Sequence, residues 1–429
     1  TSGNAYTANR LGNMLSMYKN RMIEELEGKF KDIPAILVAS GPSLDMNIHL
    51  LKNIKNRAVV FAVDAAVPAL VKKGIAPDFM AAIDPYDLIY EKFSSVMPEI
   101  TDTALIASAW VAPQVPKMFA PDKVFWTYSG RKMENWMMDM MGGKTPTGGA
   151  ATVAHLNFVA ALLMGCSPIV FVGQDLAYTG RGSHALNTAL TQNTAVEKIL
   201  KSEEMRWTEE INGGKVQTDR KFLNFKRYFE DIISTYPGNY INATVQGARI
   251  DGTEPMDLED VIAQYCTAEK DISDIIAKSG LLSRTSKSFL DECRSFQTDI
   301  QSILKDIRTS DSHQQESLKA LNKIRNKTRK YRKFEELPNS LKNKISKIDI
   351  LHKRIDGYSK LWGVLDEMTM TGLRISRRQM HEINQLEKDP EKYTVWLSKN
   401  IERLDHINRV RKNELKAFDD HLSQLISFL

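Results

Sequence analysis

AILVASGPSLD, residues 35–45, is a short apolar run that stops at a glycine–proline corner, and five further runs share its character. They are AVVFAVD (58–64), FMAAID (79–84), ALIASAW (104–110), KVFWTY (123–128) and PIVFVG (168–173). Each is continuous rather than alternating, which predicts strands covered on both faces. Amphipathic segments such as 67–73 and 150–164 lie between them. This order predicts an α/β fold, a Rossmann-like, mostly parallel sheet with helices on both faces. A mixed α+β domain is the alternative.

Outward from this core the composition changes. Of 23 glycines and 15 prolines, the first 280 residues hold 20 and 13. The chain carries +5 overall, but the part from Leu281 carries +9 and the rest −4. Scarce turn residues mark long helices. Phe289, Cys293, Phe296, Ile300, Ile303 and Ile307 keep a 4-3-4-3-4 spacing, one face of a helix, and Leu318, Leu321 and Ile324 extend it. With Pro338 and Pro390 as punctuation, an all-α bundle or antiparallel coiled-coil domain follows the α/β part. The expected division is a linker helix at 1–32, a catalytic domain at 33–267 and a helical domain at 268–429. Residues 5–31 are predicted to be one amphipathic helix, the remnant of an upstream domain. Three widely spaced cysteines write no disulfide framework and fit a reducing compartment. No stretch is long and apolar enough to span a bilayer.

In a parallel sheet, ligands lie beyond the carboxyl ends of the strands. There Ser40, Gly41, Pro42 and Ser43 form a turn that admits close backbone approach and offers a hydroxyl at a helix start, where free N–H groups favour phosphate. The same turn also reads as a plain strand-to-helix corner. Thr147, Gly148 and Gly149 form a second hydroxyl-and-glycine loop; the plainer reading makes Thr147 a helix cap. Asp64, Asp84 and Asp175 end strands, where a carboxylate binds ribose hydroxyls, a divalent ion, or the next helix. After the sixth run, Gln174, Asp175, Tyr178, Arg181 and His184 share one glycine-bearing loop. His184 is the candidate general base. His155, inside an apolar helix, reads as a core histidine. No zinc site, serine-hydrolase elbow or nucleic-acid motif is present.

Seven motifs in order, AILVASGPSLD (35–45), AVDAAVPALVKKGIAPDF (62–79), AAIDP (81–85), TGGAATVAHLNFVAALLMG (147–165), GQDLAYTGRGSHA (173–185), NGGKVQTD (212–219) and INATVQGARIDG (241–252), resemble the motility-associated factor (Maf) family of bacterial flagellin glycosyltransferases. The resemblance covers about residues 5–265, and its core is similar to the bacterial sialyltransferases. It implies transfer of a nonulosonic acid, pseudaminic or legionaminic, from its CMP-activated form to Ser/Thr of flagellin in the cytoplasm, with inversion and no obligatory metal. It further implies that Gly41, Pro42 and Ser43 cradle phosphate and ribose, that Thr147, Gly148 and Gly149 hold the nucleotide, and that Tyr178 bonds the leaving phosphate.

Three departures from the sialyltransferase pattern stand out. Ser40, Asp64 and Asp84 replace asparagines, so carboxylates face an anionic donor. His184 aligns with a phosphate-binding tyrosine, and it serves as base, as phosphate stabiliser, or as both. The acidic substitutions suit a rival reading, a pterin pyrophosphokinase with Mg²⁺ and ATP on Asp64, Asp84 and Asp175. A non-enzymatic flagellin-binding scaffold built on the basic tail is the third. Nothing in the sequence fixes the oligomeric state.

Overall fold

The computed structural model describes residues 2–86, 94–141, 150–179, 205–279, 286–325, 331–387 and 389–428. The chain forms two compact units, one of Ser16–Gly130 with Gly143–Ser283, the other of Thr1–Leu15, Arg131–Gly142 and Arg284–Leu429.

The first unit is the expected α/β fold. Its six principal strands are β2 (Ala35–Val38), β3 (Val59–Val63), β4 (Phe79–Ala82), β5 (Ala104–Ser108), β6 (Val124–Thr127) and β7 (Ile169–Val172). Every residue in them is buried, which is why their sequences run apolar without alternation. Three short strands complete the sheet: β1 (Arg21–Met22), β10 (Tyr240–Asn242) and β11 (Glu254–Pro255). The order is β1-β6-β5-β4-β3-β2-β7-β10-β11, and every neighbouring pair is parallel. From β2 the chain winds outward to β6 on one side, and from β7 it winds outward to β11 on the other. The switch point therefore falls between β2 and β7, whose ends align at Val38 and Val172. A separate antiparallel hairpin joins β8 (Met205–Glu209) and β9 (Lys215–Asp219). Stacked Phe61 and Phe79, with ring centroids 5.1 Å apart, and edge-on Phe171 and Phe229, 5.2 Å apart, fill the core.

The N-terminal helix α1 (Ser2–Lys19) is shorter than the 5–31 expected. After Lys19 the backbone turns extended and pairs Arg21 and Met22 with Phe125 and Trp126. The buried Arg21 guanidinium donates to the carbonyl oxygen of Ile276 at 2.8 Å and to Glu25 at 3.0 Å. Further on, Asp32 adopts φ 60°, which no right-handed helix accommodates. Tertiary bonding of one arginine overrides the amphipathic pattern here.

Further described helices of this unit are α2 (Leu44–Asn47), α3 (Val67–Lys72), α5 (Val153–Leu163), α6 (Arg220–Thr235), α7 (Leu258–Tyr265) and α8 (Ile272–Lys278). The second unit contains α4 (Lys132–Met141) and four long helices, α9 (Ser286–Arg325), α10 (Asn339–Asp356), α11 (Ser359–Glu387) and α12 (Tyr393–Phe428). The predicted stripe on α9 is its buried face: Phe289, Cys293, Phe296, Ile300, Ile303 and Ile307 are all at most 2% exposed. Pro338 precedes α10, and Pro390 opens the turn before α12. Trp136 of α4 packs among Phe289, Phe296 and Phe418, with ring centroids 5.7, 5.3 and 5.9 Å away. Within the same unit Arg10 holds Glu134 at 2.6 Å, both buried. Among the described residues no helix is long and apolar enough to cross a membrane.

The aromatic knot sets a stability test. Phe296→Ala removes a buried ring and should lower unfolding free energy by about 3–5 kcal/mol. Thr298→Ala, on the exposed side of the same helix, should cost less than about 0.5 kcal/mol. Urea titration followed by tryptophan fluorescence measures both, and equal costs would contradict the packing described.

Candidate functional site

A cavity of about 200 Å³ opens at the switch point, beyond the carboxyl ends of β2, β3 and β7. Ser40 and Gly41 follow β2, Asp64 follows β3, and Gln174 follows β7; all four line it. The start of α5 supplies Val153 and Ala154, so the N–H-rich end of an eleven-residue helix borders the cavity. Thr152 caps that helix by accepting from the His155 N–H at 3.2 Å. The cap expected at Thr147 therefore sits five residues later.

Asp175 organises the wall. The Ser43 N–H donates to its Oδ2 at 3.0 Å, and the Ser43 hydroxyl donates to its Oδ1 at 2.5 Å. Its own carbonyl accepts from the Ala248 N–H at 2.7 Å. Ser43 is fully buried and Asp175 nearly so. Burial pushes the Asp175 carboxyl up to about 7, with help from the Asp45 charge, although the Ser43 bonds pull it down. Backbone closeness makes glycine obligatory around it. A Cβ on Gly41 would lie 2.3 Å from Asp175 Oδ1, and one on Gly247 would lie 2.4 Å from the Asp175 carbonyl oxygen. Leu176, the next residue, is held at φ 49°, rare for a non-glycine, while the Thr218 hydroxyl donates to its carbonyl oxygen at 2.8 Å.

The remaining candidates separate. Pro42 and Ser43 are buried behind the turn, and the Ser43 hydroxyl points to Asp175 rather than into the cavity. Asp84 does not line the cavity; its Oδ1 accepts from the Tyr86 N–H at 3.1 Å, a local turn bond. Tyr178 donates its hydroxyl to Asp219 Oδ2 at 2.8 Å and leans on Phe222, and burial raises its phenol above the ordinary range. Asp219 in turn caps α6, accepting from the Phe222 N–H at 2.7 Å. Thr147, Gly148, Gly149, Arg181 and His184 lie outside the described residues. His155 is a core residue, as its apolar helix implied. It stacks on Tyr228 with centroids 4.0 Å apart, its Nε2 meets the Phe225 carbonyl at 3.0 Å, and burial lowers it to about 4.

Three lining residues escaped the sequence reading: Lys221, Phe222 and Phe225, from the first turns of α6. Lys221 is exposed, and its ammonium stands 5.6 Å from the Phe225 ring centroid. The arrangement offers a cation, two aromatic rings and a helix N-terminus around one ring-sized space. Such a space suits a planar or cyclic group attached to an anion. The available signal was the Asp219 cap followed at once by an amphipathic run.

Comparison with known proteins agrees with this architecture. The family described as "6-hydroxymethylpterin diphosphokinase MptE-like" matches residues 8–181, less than half of the chain. The structure of the MAf glycosyltransferase from Magnetospirillum magneticum AMB-1 is similar over 99% of this chain, with a TM-score of 0.52 and 17% identity. The chain spans 58% of that structure. An uncharacterized protein of Treponema pallidum (strain Nichols) is 36% identical over 56 residues, 13% of this chain and 27% of that protein. The resemblance to motility-associated factor proteins carried by the seven motifs is thus matched by a shared fold.

The Asp175 carboxyl gives a pH test. Its ordinary value is 3.8 and its folded value about 7, so the folded chain retains a proton that the unfolded chain releases. The stability it contributes is complete below 3.8 and is lost as pH rises to about 7. His155 works in the opposite sense below its ordinary 6.5, but it is common to wild type and variant and cancels in their difference. In Asp175→Asn, the melting temperature relative to wild type should therefore improve steadily between pH 4 and 7 and level off above about 8. A pH-independent difference, by differential scanning fluorimetry, would exclude the raised value.

Proposed function

We propose that the chain is a glycosyltransferase that moves a nonulosonic acid, pseudaminic or legionaminic, from its CMP-activated form to Ser/Thr of flagellin in the bacterial cytoplasm. The observation that carries this reading is the cavity at the switch point, bordered by Gly41, the start of α5 and Lys221. CMP is a good leaving group, so the protein's task is to stabilise departing phosphate while the sugar develops positive charge. Helix-end N–H groups and Lys221 suit that task without a metal. In this reading Gly41, Asp64 and Gln174 contact the nucleotide, and Thr147, Gly148 and Gly149 help to hold it. His184 takes the proton of the acceptor hydroxyl, stabilises the leaving phosphate, or does each in turn. Tyr178 reaches the phosphate only by releasing Asp219, so its resting role is to position α6.

A second reading follows from the family match over residues 8–181, a diphosphokinase acting on a pterin-like substrate. It asks Asp64, Asp84 and Asp175 to gather Mg²⁺. Asp175, however, accepts hydrogen bonds on both oxygens from Ser43, and Asp84 does not line the cavity. Those placements favour the glycosyltransferase.

Isothermal calorimetry with CMP and with ATP, each with and without Mg²⁺, decides between them. Metal-independent CMP binding is expected. Lys221→Met should weaken it about tenfold, equivalent to about 1.4 kcal/mol, and leave uncharged cytidine unaffected. Mg²⁺-dependent ATP binding with no CMP signal would replace the glycosyltransferase by the kinase.

A further inference from the structure

On the buried face of α9, Ile300, Ile303 and Ile307 are followed by Ser310, Gln314 and Ser317 before Leu321 and Ile324 resume the apolar stripe. The 3-4-3-4-3-4-3 spacing is unbroken, yet the three middle residues are polar and each is 0% exposed. The helices packed against α9 bring polar side chains to the same level. From α10 comes His352, whose Nε2 accepts from Gln314 Nε2 at 3.3 Å. From α12 comes the fully buried Asn408, whose Nδ2 donates to Asp311 Oδ1 at 2.8 Å and to Ser310 Oγ at 3.4 Å. Gln314 Nε2 also donates to Ser310 Oγ at 3.2 Å. Buried apolar residues lie on either side of this level, Ile348 and Ile355 around His352 on α10, Ile401 and Leu415 around Asn408 on α12. Along the rest of α9 the same alignment holds: Gln297 donates to Ser423 Oγ at 2.8 Å, and Leu321 shares an apolar cluster with Leu397 and Ile401. Numbers fall on α12 as they rise on α9, so the two helices are antiparallel.

Apolar helix faces repeat with the heptad, so they fit one another nearly as well after a slide of seven residues, about 10 Å along the axis. The polar level does not repeat. One heptad either way carries Asn408 away from Asp311 to the level of Ile303 or Ser317, and brings Ile401 or Leu415 against Ser310. The same slide against α10 carries His352 from Gln314 to Ile307 or Leu321. Each shifted alignment therefore buries amides or an imidazole without their partners. Even in the observed alignment the level is not the most stable filling, since Gln314 Oε1, Ser317 Oγ and Asn408 Oδ1 accept no hydrogen bond. Leucines at these positions would avoid that loss and continue the stripe. We infer that Ser310, Gln314, His352 and Asn408 form a register lock, which lowers the stability of the helical unit and restricts α9 to a single alignment with α10 and α12.

The test replaces the level in the full chain by Gln314→Leu, His352→Leu and Asn408→Leu together, and reads melting temperature and disulfide cross-linking. Gln297→Cys with Ser423→Cys reports the observed alignment of α9 and α12, and Gln297→Cys with Lys416→Cys reports the alignment one heptad away. The three native cysteines are buried and do not compete. With the polar level intact, the 297–423 bridge should form on mild oxidation and the 297–416 bridge should not. In the triple variant the melting temperature should equal or exceed that of the parent chain. The yield of the 297–423 bridge should fall at least twofold, and the 297–416 bridge should appear, within one chain or between two copies. A triple variant that melts lower or fails to fold makes the level a stabilising contact and overturns the inference. A triple variant that still gives the 297–423 bridge alone overturns it as well, because the apolar faces then suffice to fix the alignment. So does a 297–416 bridge in the chain with the polar level intact.

Discussion

A buried serine donates twice to a buried aspartate, and the carboxyl ends of β2 and β7 are held in place by that contact. Ser43 belongs to the turn after β2 and Asp175 to the turn after β7, 132 residues apart in the chain. Strand pairing brings the turns together: the Ala39 N–H bonds Val172, and the Gly41 N–H bonds the Gly173 carbonyl at 2.8 Å. Only a chain without a side chain at Gly41 and Gly247 lets the backbones close around the carboxyl. The same segment then receives the hairpin, since the Tyr178 N–H donates to the Gln217 carbonyl and Thr218 to Leu176. Three sequence motifs, the Gly-Pro-Ser turn, the Gly-Gln-Asp turn and the Gln-Gly-Ala segment, are sides of one knot.

That knot fixes the backbone of the sheet edge that borders the cavity. Leu176 at positive φ stays strained because Asp175 before it and Thr218 beside it fix its peptide groups. The cavity lies against this interlocked backbone, with Ser40, Gly41, Gly173 and Asp175 on its lining. The longer side chains on the lining include Asp64, Gln174, Lys221, Phe222 and Phe225.

The central strands were legible because burial on both faces leaves a plain mark, an apolar run bounded by turn residues. The helical stripe on α9 was legible for the same reason at a different period. What escaped notice lacked a periodic signature. β1 and β11 have two residues each, too few to carry a pattern, and exist because a neighbour offers open hydrogen-bonding groups. Trp136 could have belonged anywhere apolar; only packing assigns it to the helical unit, with Phe289 and Phe418. At the site, glycines and hydroxyls drew attention because residue type alone suggests chemistry. Yet Ser43 proved to be turned inward, while Lys221, an ordinary letter in an ordinary helix, borders the cavity.

The electrostatics of that space bear on the awkwardness noted in the sequence, carboxylates facing an anionic donor. Three strand-end aspartates suggested a strongly negative site. Burial favours the neutral form of the Asp175 carboxyl, whose oxygens already accept from Ser43. Asp84 turns to the Tyr86 N–H and stands away from the cavity. Among the described lining residues Asp64 is the second carboxylate beside Asp175, and the Lys221 ammonium and the helix end at Val153 border the same cavity. A phosphodiester donor would bring a single phosphate charge to those groups. A nucleoside triphosphate carries several more negative charges and would need Mg²⁺ held by carboxylates to offset them. Because Asp175 is committed to the knot that shapes the sheet edge, recruiting it to a metal would loosen the turn that forms the site.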